Sequence, residues 1–426
     1  MQRAVVVILD GLRRDFVKAD STPHLKAFAA QAACLQEFHT AFPSATRAVS
    51  ASFSTGCYPA RHTLQGNAVA LLEGHTLVPH DVGGPDFLAH KRAVTGHALA
   101  VPTLAQRVAS HGGAIMFNNV SPGAANAHDP DAYGTIYQRA FSRGPGGSAV
   151  AEPLRVTLDM VGDRTMTDRF IAEALPRKPS LAVLWLGEPD HIQHEMPLGS
   201  PGHLAVLREA DRNAGAVIAA VERQRAGGDD VLLIIGSDHG HETVSGAVDV
   251  EANLIAARLK DGADSTDVLA LSNGTASLIY LHPDQENRRA RLADYLNSQR
   301  WIGRCIDAES LGTIGQAPLY GLAFAVSLKS EPTRNEFGVP GCSLAAVPRW
   351  DKPVRVGCGQ HGGLGQYEQA PFLMIEGAGF KGGTIHGEMA RIVDLAPTIL
   401  RHLGLPDADM DGYALQDCKS DVLGVN

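Results

Sequence analysis

The chain reads as an α/β protein built on a doubly wound, mostly parallel sheet, with a smaller α+β insertion. Three observations carry that reading. Uninterrupted apolar runs at Ala4–Leu9, Leu181–Leu186 and Val231–Ile235 have the length of strands covered on both faces. Stretches of helical period alternate with them, as crossover connections between parallel strands require. Beyond His241 the periodicity weakens into short, mixed elements before a strong pattern resumes near His361. The expected division is a core of residues 1–245 and 360–426, with 246–359 inserted as a cap.

Taken in order, Ala4–Leu9 is a strand that ends in Asp10-Gly11. A helix is expected from Thr22-Pro23, with Thr22 as N-cap and Pro23 in the first turn. Its apolar positions are Leu25, Phe28, Ala29, Ala32 and Ala33. Pro43-Ser44 makes a turn, and a short helix opens at or just after Thr46, where free N–H groups and the helix dipole favour an anion. Residues 67–100 look irregular. Thr103–Ser110 reads as a helix, Ala114–Phe117 as a strand, and the Gly/Pro/Asn-rich stretch Ser121–Pro153 as a long surface loop. Met166–Leu175 and His203–Arg225 are expected helices flanking the strand Leu181–Leu186.

Inside the insertion, helices are expected at Ala252–Leu259 and Asn287–Leu296, and strands at Ala276–Leu281 and Leu322–Val326. A strand at Phe372–Ile375, a helix at Met389–Leu403 and a polar tail complete the chain. No repeat of 20–50 residues is present.

Composition narrows the function classes. The formal charge is −9, which argues against a groove for a nucleic-acid polymer or an anionic membrane surface. An acidic protein handling phosphate compounds would need bound cations to reverse the field at its site. The six cysteines (Cys34, Cys57, Cys305, Cys342, Cys358 and Cys418) are widely spaced, with no C-x-x-C, and read as thiols rather than a disulfide framework. No secretory signal or membrane-length apolar run is evident, so the expectation is a cytoplasmic protein. A homo-oligomer is compatible with the sequence.

The chemistry-bearing residues gather at strand ends. These offer Asp10; Asp190 with His194; Asp238 with His239; and, after the insertion, His361. Ligands bind at the carboxyl ends of strands in open α/β sheets. Asp and His are good donors for divalent metals, and the four-residue spacing of Asp190 and His194 lets both reach one ion. Carboxylates brought together without cations would repel one another.

Several stretches together resemble the alkaline phosphatase superfamily. They are Asp10-Gly11, Thr22-Pro23-x-Leu25, Phe42-Pro43, Thr55-Gly56-x-Tyr58-Pro59-x-x-His62, Ser237-Asp238-His239-Gly240 and the ending Arg391–Leu400 with Leu403-Gly404-Leu405-Pro406. The nearest likeness is to the nucleotide pyrophosphatase/phosphodiesterase branch, with phosphonoacetate hydrolase next. The resemblance implies two divalent ions, usually Zn²⁺. One would be held by Asp190, His194 and His361, the other by Asp10, Asp238, His239 and the nucleophile hydroxyl.

The family nucleophile stands ten residues before the Gly of the Thr-Gly pair, which is Thr46 here. Asn67 matches an Asn that donates to a phosphoryl oxygen. The implied reaction is hydrolysis of a small phosphodiester through phospho-Thr46, since metal coordination would activate an otherwise weak hydroxyl. A phosphonate (C–P) hydrolase, a phosphomonoesterase, or a non-catalytic metal- or phosphate-binding protein on the same scaffold are the alternatives.

Two features test the resemblance. Cys57-Tyr-Pro-Ala-Arg61 fits the C-x-P-x-R pattern that sulfatases modify, but it lies after the Thr-Gly pair rather than ten residues before it, so the match is coincidental. Phosphonoacetate hydrolases carry paired lysines where this chain has Phe117-Asn-Asn-Val-Ser-Pro122, which lowers that substrate. Arg47 is a candidate phosphate contact, and His241 a candidate hydrogen-bond partner of a ligand residue. His191, beside Asp190, is open to the same reading as His241; Arg61 and His62 are expected to support the loop, and Asp394 the architecture.

Overall fold

A computed structural model describes residues 2–350 and 353–417; Cys418 lies outside them. Its centre is a nine-stranded sheet. In chain order the strands are β1 (Gln2–Leu9), β2 (Ala33–His39), β3 (Ala114–Asn118), β4 (Thr135–Gln138), β5 (Ser142–Arg143), β6 (Leu181–Leu186), β7 (Asp230–Gly236), β8 (Leu373–Glu376) and β9 (Thr384–Arg391). Across the sheet the order is β9-β2-β8-β7-β1-β6-β3-β4-β5. Only β5 and β8 run antiparallel to their neighbours. This is the mixed α/β fold with a mostly parallel sheet that the apolar runs predict.

Burial on both faces explains those runs. Along β1, Val5, Val7 and Leu9 enter one core while Ala4, Val6 and Ile8 enter the other. A two-residue period cannot show as a polar alternation when neither face meets water. The long helix Pro201–Ala226 and the short α1 (Pro23–Phe28) cover the first face through Leu207, Ala214, Val217, Leu25 and Phe28. The second face is covered by α2 (Thr46–Thr55) through Val49 and Phe53, and by Leu395–His402 through Ile399 and Leu400.

Several boundaries differ from the sequence reading. The helix after Thr22 stops at Phe28, and Ala33 begins the strand β2. Thr22 sits at the N-cap position but its hydroxyl accepts from the Lys18 N–H (2.9 Å) instead of capping the helix. Met389–Arg391 belong to β9, and the helix that follows starts only at Leu395.

Residues 67–100 are ordered as a hairpin, Ala68–Glu73 with Thr76–Asp81, and a helix, Phe87–Thr95. The stretch 121–153 is only partly loop: it supplies a buried helix, Pro122–His128, and the edge strands β4 and β5. Ser121 caps that helix by accepting from Ala124 N, and Pro122 fits its first turn. Gly123 is there for proximity, since a Cβ would lie 1.8 Å from the Val82 carbonyl oxygen. A loop-like composition thus encoded close packing.

Between Glu242 and Gln360 the chain forms two four-stranded sheets. Pro340–Ala346 lies between Ser330–Arg334 and Glu242–Val248, which in turn pairs with Gly359–Gln360. The other sheet orders Val268–Ser272, Ala276–Leu281, Leu322–Leu328 and Ile302–Asp307, all antiparallel. Helices Val250–Ala256 and Arg289–Ser298 close a separate apolar cluster through Leu254, Leu292 and Leu296.

Candidate active site

The register of β1 with its two neighbours assembles the site. Leu9 pairs with Leu186 on β6, and Ile8 with Gly236 on β7, so Asp10, Asp190 and Asp238 emerge at one edge. The Asp190 N–H donates to the Asp10 carbonyl (3.0 Å), fixing the loop after β6 against the end of β1. Asp10, Asp238, His239 and His241 are fully buried.

Thr46 opens α2, whose ten residues end at Gly56 in the left-handed conformation (φ 67°). The Thr46 hydroxyl lies 3.0 Å from His239 Nε2. The same nitrogen is 3.3 Å from Asp10 Oδ1 and 3.2 Å from Asp238 Oδ2. His239 Nδ1 meets the Gly240 carbonyl at 3.1 Å, a contact that places its proton on Nδ1. Nε2 then turns a lone pair toward three oxygens. Neither Asp10 Oδ1 nor Asp238 Oδ2 has a hydrogen-bond partner, although both are buried. Each such orphan costs about 1–3 kcal/mol or more when charged. Among nitrogen and oxygen lone pairs, a cation satisfies the whole set, and Asp, Asp and His are donors suited to a divalent ion. Their distal contacts are fixed: Trp185 Nε1 donates to Asp10 Oδ2 (2.9 Å) and Gly11 N to Asp238 Oδ1 (3.0 Å).

A second cluster centres on Asp190. Its Oδ1 lies 3.3 Å from His194 Nε2, 3.5 Å from His361 Nε2 and 2.7 Å from His241 Nε2. His361 Nδ1 contacts the Ser44 carbonyl, which leaves Nε2 facing the carboxylate. The His239 and His361 rings stack at 3.7 Å, so the two clusters adjoin. All seven metal-ligand candidates from the sequence are therefore brought together. His241 joins them, and its distance to Asp190 is the shortest of the three histidines.

Electrostatics follow from burial. Burial, with Asp238 and Asp190 nearby, pushes the Asp10 carboxyl well above its usual range. Burial likewise raises Asp238 to about 7. Burial lowers His239 to about 4 and His241 to about 3, and holds His361 well below the usual imidazole range. Asp190 behaves oppositely. Burial opposes its charge, yet His194, His241 and His361 outweigh burial and hold it well below the ordinary value. The lowered imidazoles of His239, His241 and His361 are neutral, as metal ligation requires. At His194 burial opposes the charge but Asp190 raises the imidazole. The raised carboxyls of Asp10 and Asp238 favour their protonated form where no cation offsets their charge.

A cleft of about 510 Å³ opens over these residues, lined by Thr46, Asn67, Asp190, His194 and His361 on one side and by Asn273, Trp350 and Arg355 from the inserted segment on the other. Asn67 is held by its backbone N–H donating to Asn273 Oδ1 (2.6 Å), while its own Oδ1 accepts from Arg47 N (3.1 Å). Asn67 itself lines the cleft, and its amide nitrogen is not engaged by either of these contacts. Arg47 also lines it, with Nε donating to Ser121 Oγ (3.1 Å) and an ion pair to Asp81 (3.5 Å).

The family model for type I phosphodiesterase/nucleotide pyrophosphatase matches residues 4–311. The chain belongs to this family. His361 lies beyond the matched residues, and the fold returns it to the site. No functionally curated protein matches the sequence. Among solved structures, murine ectonucleotide pyrophosphatase/phosphodiesterase 5 aligns over 97% of this chain and 98% of its own, with a TM-score of 0.68 at 17% identity. An inactive threonine-to-alanine variant of that murine protein, in complex with AMP, gives the same TM-score. Phosphonoacetate hydrolase from Sinorhizobium meliloti 1021, in complex with phosphonoformate, gives 0.67 at 15% identity over 95% of both chains. At these identities the likeness establishes the shared fold.

Residues that the sequence did not single out complete this phosphodiesterase-family site. Trp185 was hidden in an apolar strand, and only its lone indole N–H marked it. Asn273, inside the insertion, carries no local signal; its role exists only where it meets Asn67. His191 lines the cleft and contacts Glu188 (3.3 Å). His62 is buried against Ser52 (3.0 Å), and Arg61 pairs with Asp411 on the surface. Cys57 is buried and does not line the cleft.

Proposed function

We propose that the protein is a metal-dependent phosphodiesterase of the nucleotide pyrophosphatase kind, with Thr46 as nucleophile. The observation that carries this reading is the Thr46 hydroxyl at the N-terminus of α2, 3.0 Å from His239 and beside two buried carboxylate oxygens without partners. Asp190, His194 and His361 would hold one divalent ion, and Asp10, Asp238, His239 and Thr46 the other. Two such ions, for which Zn²⁺ suits the nitrogen and carboxylate donors, would stabilise charge on the attacking and leaving oxygens.

The protein's own groups do the rest. The dipole at the N-terminus of α2 favours the phosphoryl group next to Thr46, although the Arg47 N–H of that turn is already taken by Asn67 Oδ1. Asn67 donates to a non-bridging oxygen, which stabilises the equatorial charge of the transition state. The Thr46 oxygen bonds to phosphorus as the bond to the leaving alcohol breaks. Water then displaces Thr46, returning its hydroxyl and releasing a monoester. His241, donating to Asp190, fixes that carboxylate in place. The inserted segment, roughly 246–359, acts as a cap that selects the substrate.

A second reading, a C–P hydrolase or phosphomonoesterase on the same residues, is favoured by the near-equal likeness to phosphonoacetate hydrolase and by Arg47 in the cleft. Comparing kcat/KM of the Zn²⁺-loaded protein on a bis-aryl phosphate, an aryl phosphate and phosphonoacetate separates them. A preference for the diester of tenfold or more is expected; a preference for either of the others overturns the first reading. We assign the protein to the cytoplasm as part of the same proposal, with a small phosphate or phosphonate ester as its partner.

A further inference from the structure

A second group of metal-ligating side chains lies outside the cleft. Glu73 ends the first strand of the hairpin Ala68–Asp81, His80 lies near the end of its second strand, and His90 projects from the helix Phe87–Thr95. The Nε2 atoms of His80 and His90 converge on one carboxylate oxygen, Glu73 Oε1, at 2.7 and 2.8 Å. Their rings are 4.9 Å apart and tilted. The three donor atoms all lie within 4.8 Å of one another, and none of the three residues lines the cleft.

We propose that Glu73, His80 and His90 form a further metal site that holds a divalent ion of the zinc class. The donor set is two imidazole nitrogens and a carboxylate oxygen, with room for water in the fourth tetrahedral position. The scaffold is firm. Val69 and Leu71 of the hairpin pack with Phe87 and Leu88 of the helix in one buried cluster, so both histidines stand on elements already docked. Access is open: the side chains of His80, Glu73 and His90 are 19%, 28% and 42% exposed.

Metal–donor distances of about 2.0–2.2 Å place tetrahedral donors roughly 3.3 Å apart, so Glu73 retreats by roughly half an ångström from each histidine, whose own donor atoms already lie within 4.8 Å of each other. A long, partly exposed carboxylate makes that move by rotation about its own bonds.

Such an ion would clamp the hairpin to the helix. The roots of the hairpin, Asn67 and Asp81, line the cleft, and the Val82 N–H donates to the Asn67 carbonyl (2.9 Å). The clamp would therefore steady the strand ends from which Asn67 reaches the substrate.

The test uses the full chain, stripped of metal and titrated calorimetrically with Zn²⁺, with bound zinc counted after gel filtration. The variants are His90→Ala, whose side chain is largely on the surface, and His80→Asn/His90→Asn; far-ultraviolet circular dichroism checks their fold. The wild type is expected to retain one more Zn²⁺ per chain than either variant, and Zn²⁺ to raise its Tm further. Equal zinc counts and affinities in wild type and a folded His90→Ala chain overturn the site.

Discussion

Thr46 Oγ1 and His239 Nε2 lie 3.0 Å apart although 193 residues separate them in sequence. The contact joins the first residue of α2 to the loop after β7, and Asp10 and Asp238 stand within 3.3 Å of the same imidazole nitrogen. A hydroxyl so placed shares its surroundings with the residues best suited to hold a cation.

Thr46→Ala should fold as the wild type does, because the hydroxyl makes no contact that α2 needs. Its kcat/KM on a bis-aryl phosphate should fall by at least about 10³-fold. Thr46→Ser, which keeps the oxygen, should retain measurable turnover. Steady-state kinetics on the Zn²⁺-loaded proteins provide the check, and full activity in the alanine variant would refute the nucleophile.

Stripping divalent ions with a chelator should abolish turnover and lower Tm, with both restored by Zn²⁺. The stabilisation expected from an ion at a hundred times its Kd is about 2.7 kcal/mol. Its physical source is the relief of the buried, unpartnered oxygens of Asp10 and Asp238. Differential scanning calorimetry across the removal and readdition measures it. An unchanged Tm and rate would contradict the metal dependence.

His241→Ala should weaken metal retention and lower kcat by roughly ten- to a hundredfold. The expected cause is the lost 2.7 Å contact to Asp190 Oδ1. His241→Gln, which retains a donor, should recover part of the loss. Bound-metal analysis beside kcat distinguishes this effect from general destabilisation, which would lower Tm without changing metal content.

The legible part of this fold was the part whose physics is local. The runs ending at Leu9, Leu186 and Ile235 announced buried strands, and the Asp or His residues after them announced the site edge. The start of α2 at Thr46 was legible for the same reason, since a turn at Pro43-Ser44 precedes it. β2 was not legible: Gln36 and Glu37 are exposed and break its apolar pattern, and partners β8 and β9 come more than 300 residues later. The buried helix Pro122–His128 was obscured because the glycine and alanines that let it pack closely also compose loops. Asn273 and Trp185 were beyond reach since their roles depend on contacts with distant residues. The position of His241, two residues after His239, suggests a partner of a ligand residue, and its 2.7 Å contact to Asp190 has that form.

Stability should fall in acid through three histidines outside the metal clusters. Burial lowers His62, with Lys91 adding to the effect, His128, and His203 to about 3 each. In the unfolded chain each titrates near 6.5. The unfolded state therefore binds more protons between about pH 6.5 and 3, and stability is lost as pH falls through that window. Each histidine contributes a slope of about 1 kcal/mol per pH unit there. Urea denaturation of the wild type at pH 8 and pH 5, beside His128→Asn, checks the sign. The wild type should lose more stability than the variant, and an equal loss in both would remove His128 from the explanation.

The most direct measurement of the nucleophile's role is to quench the Zn²⁺-loaded enzyme in acid during turnover of a diester and map phosphorylation by mass spectrometry. The expected result is a phosphoryl adduct, still carrying the retained ester group, on the peptide containing Thr46, and none in Thr46→Ala. An adduct on another residue, or full turnover by Thr46→Ala with no adduct in either protein, would contradict it.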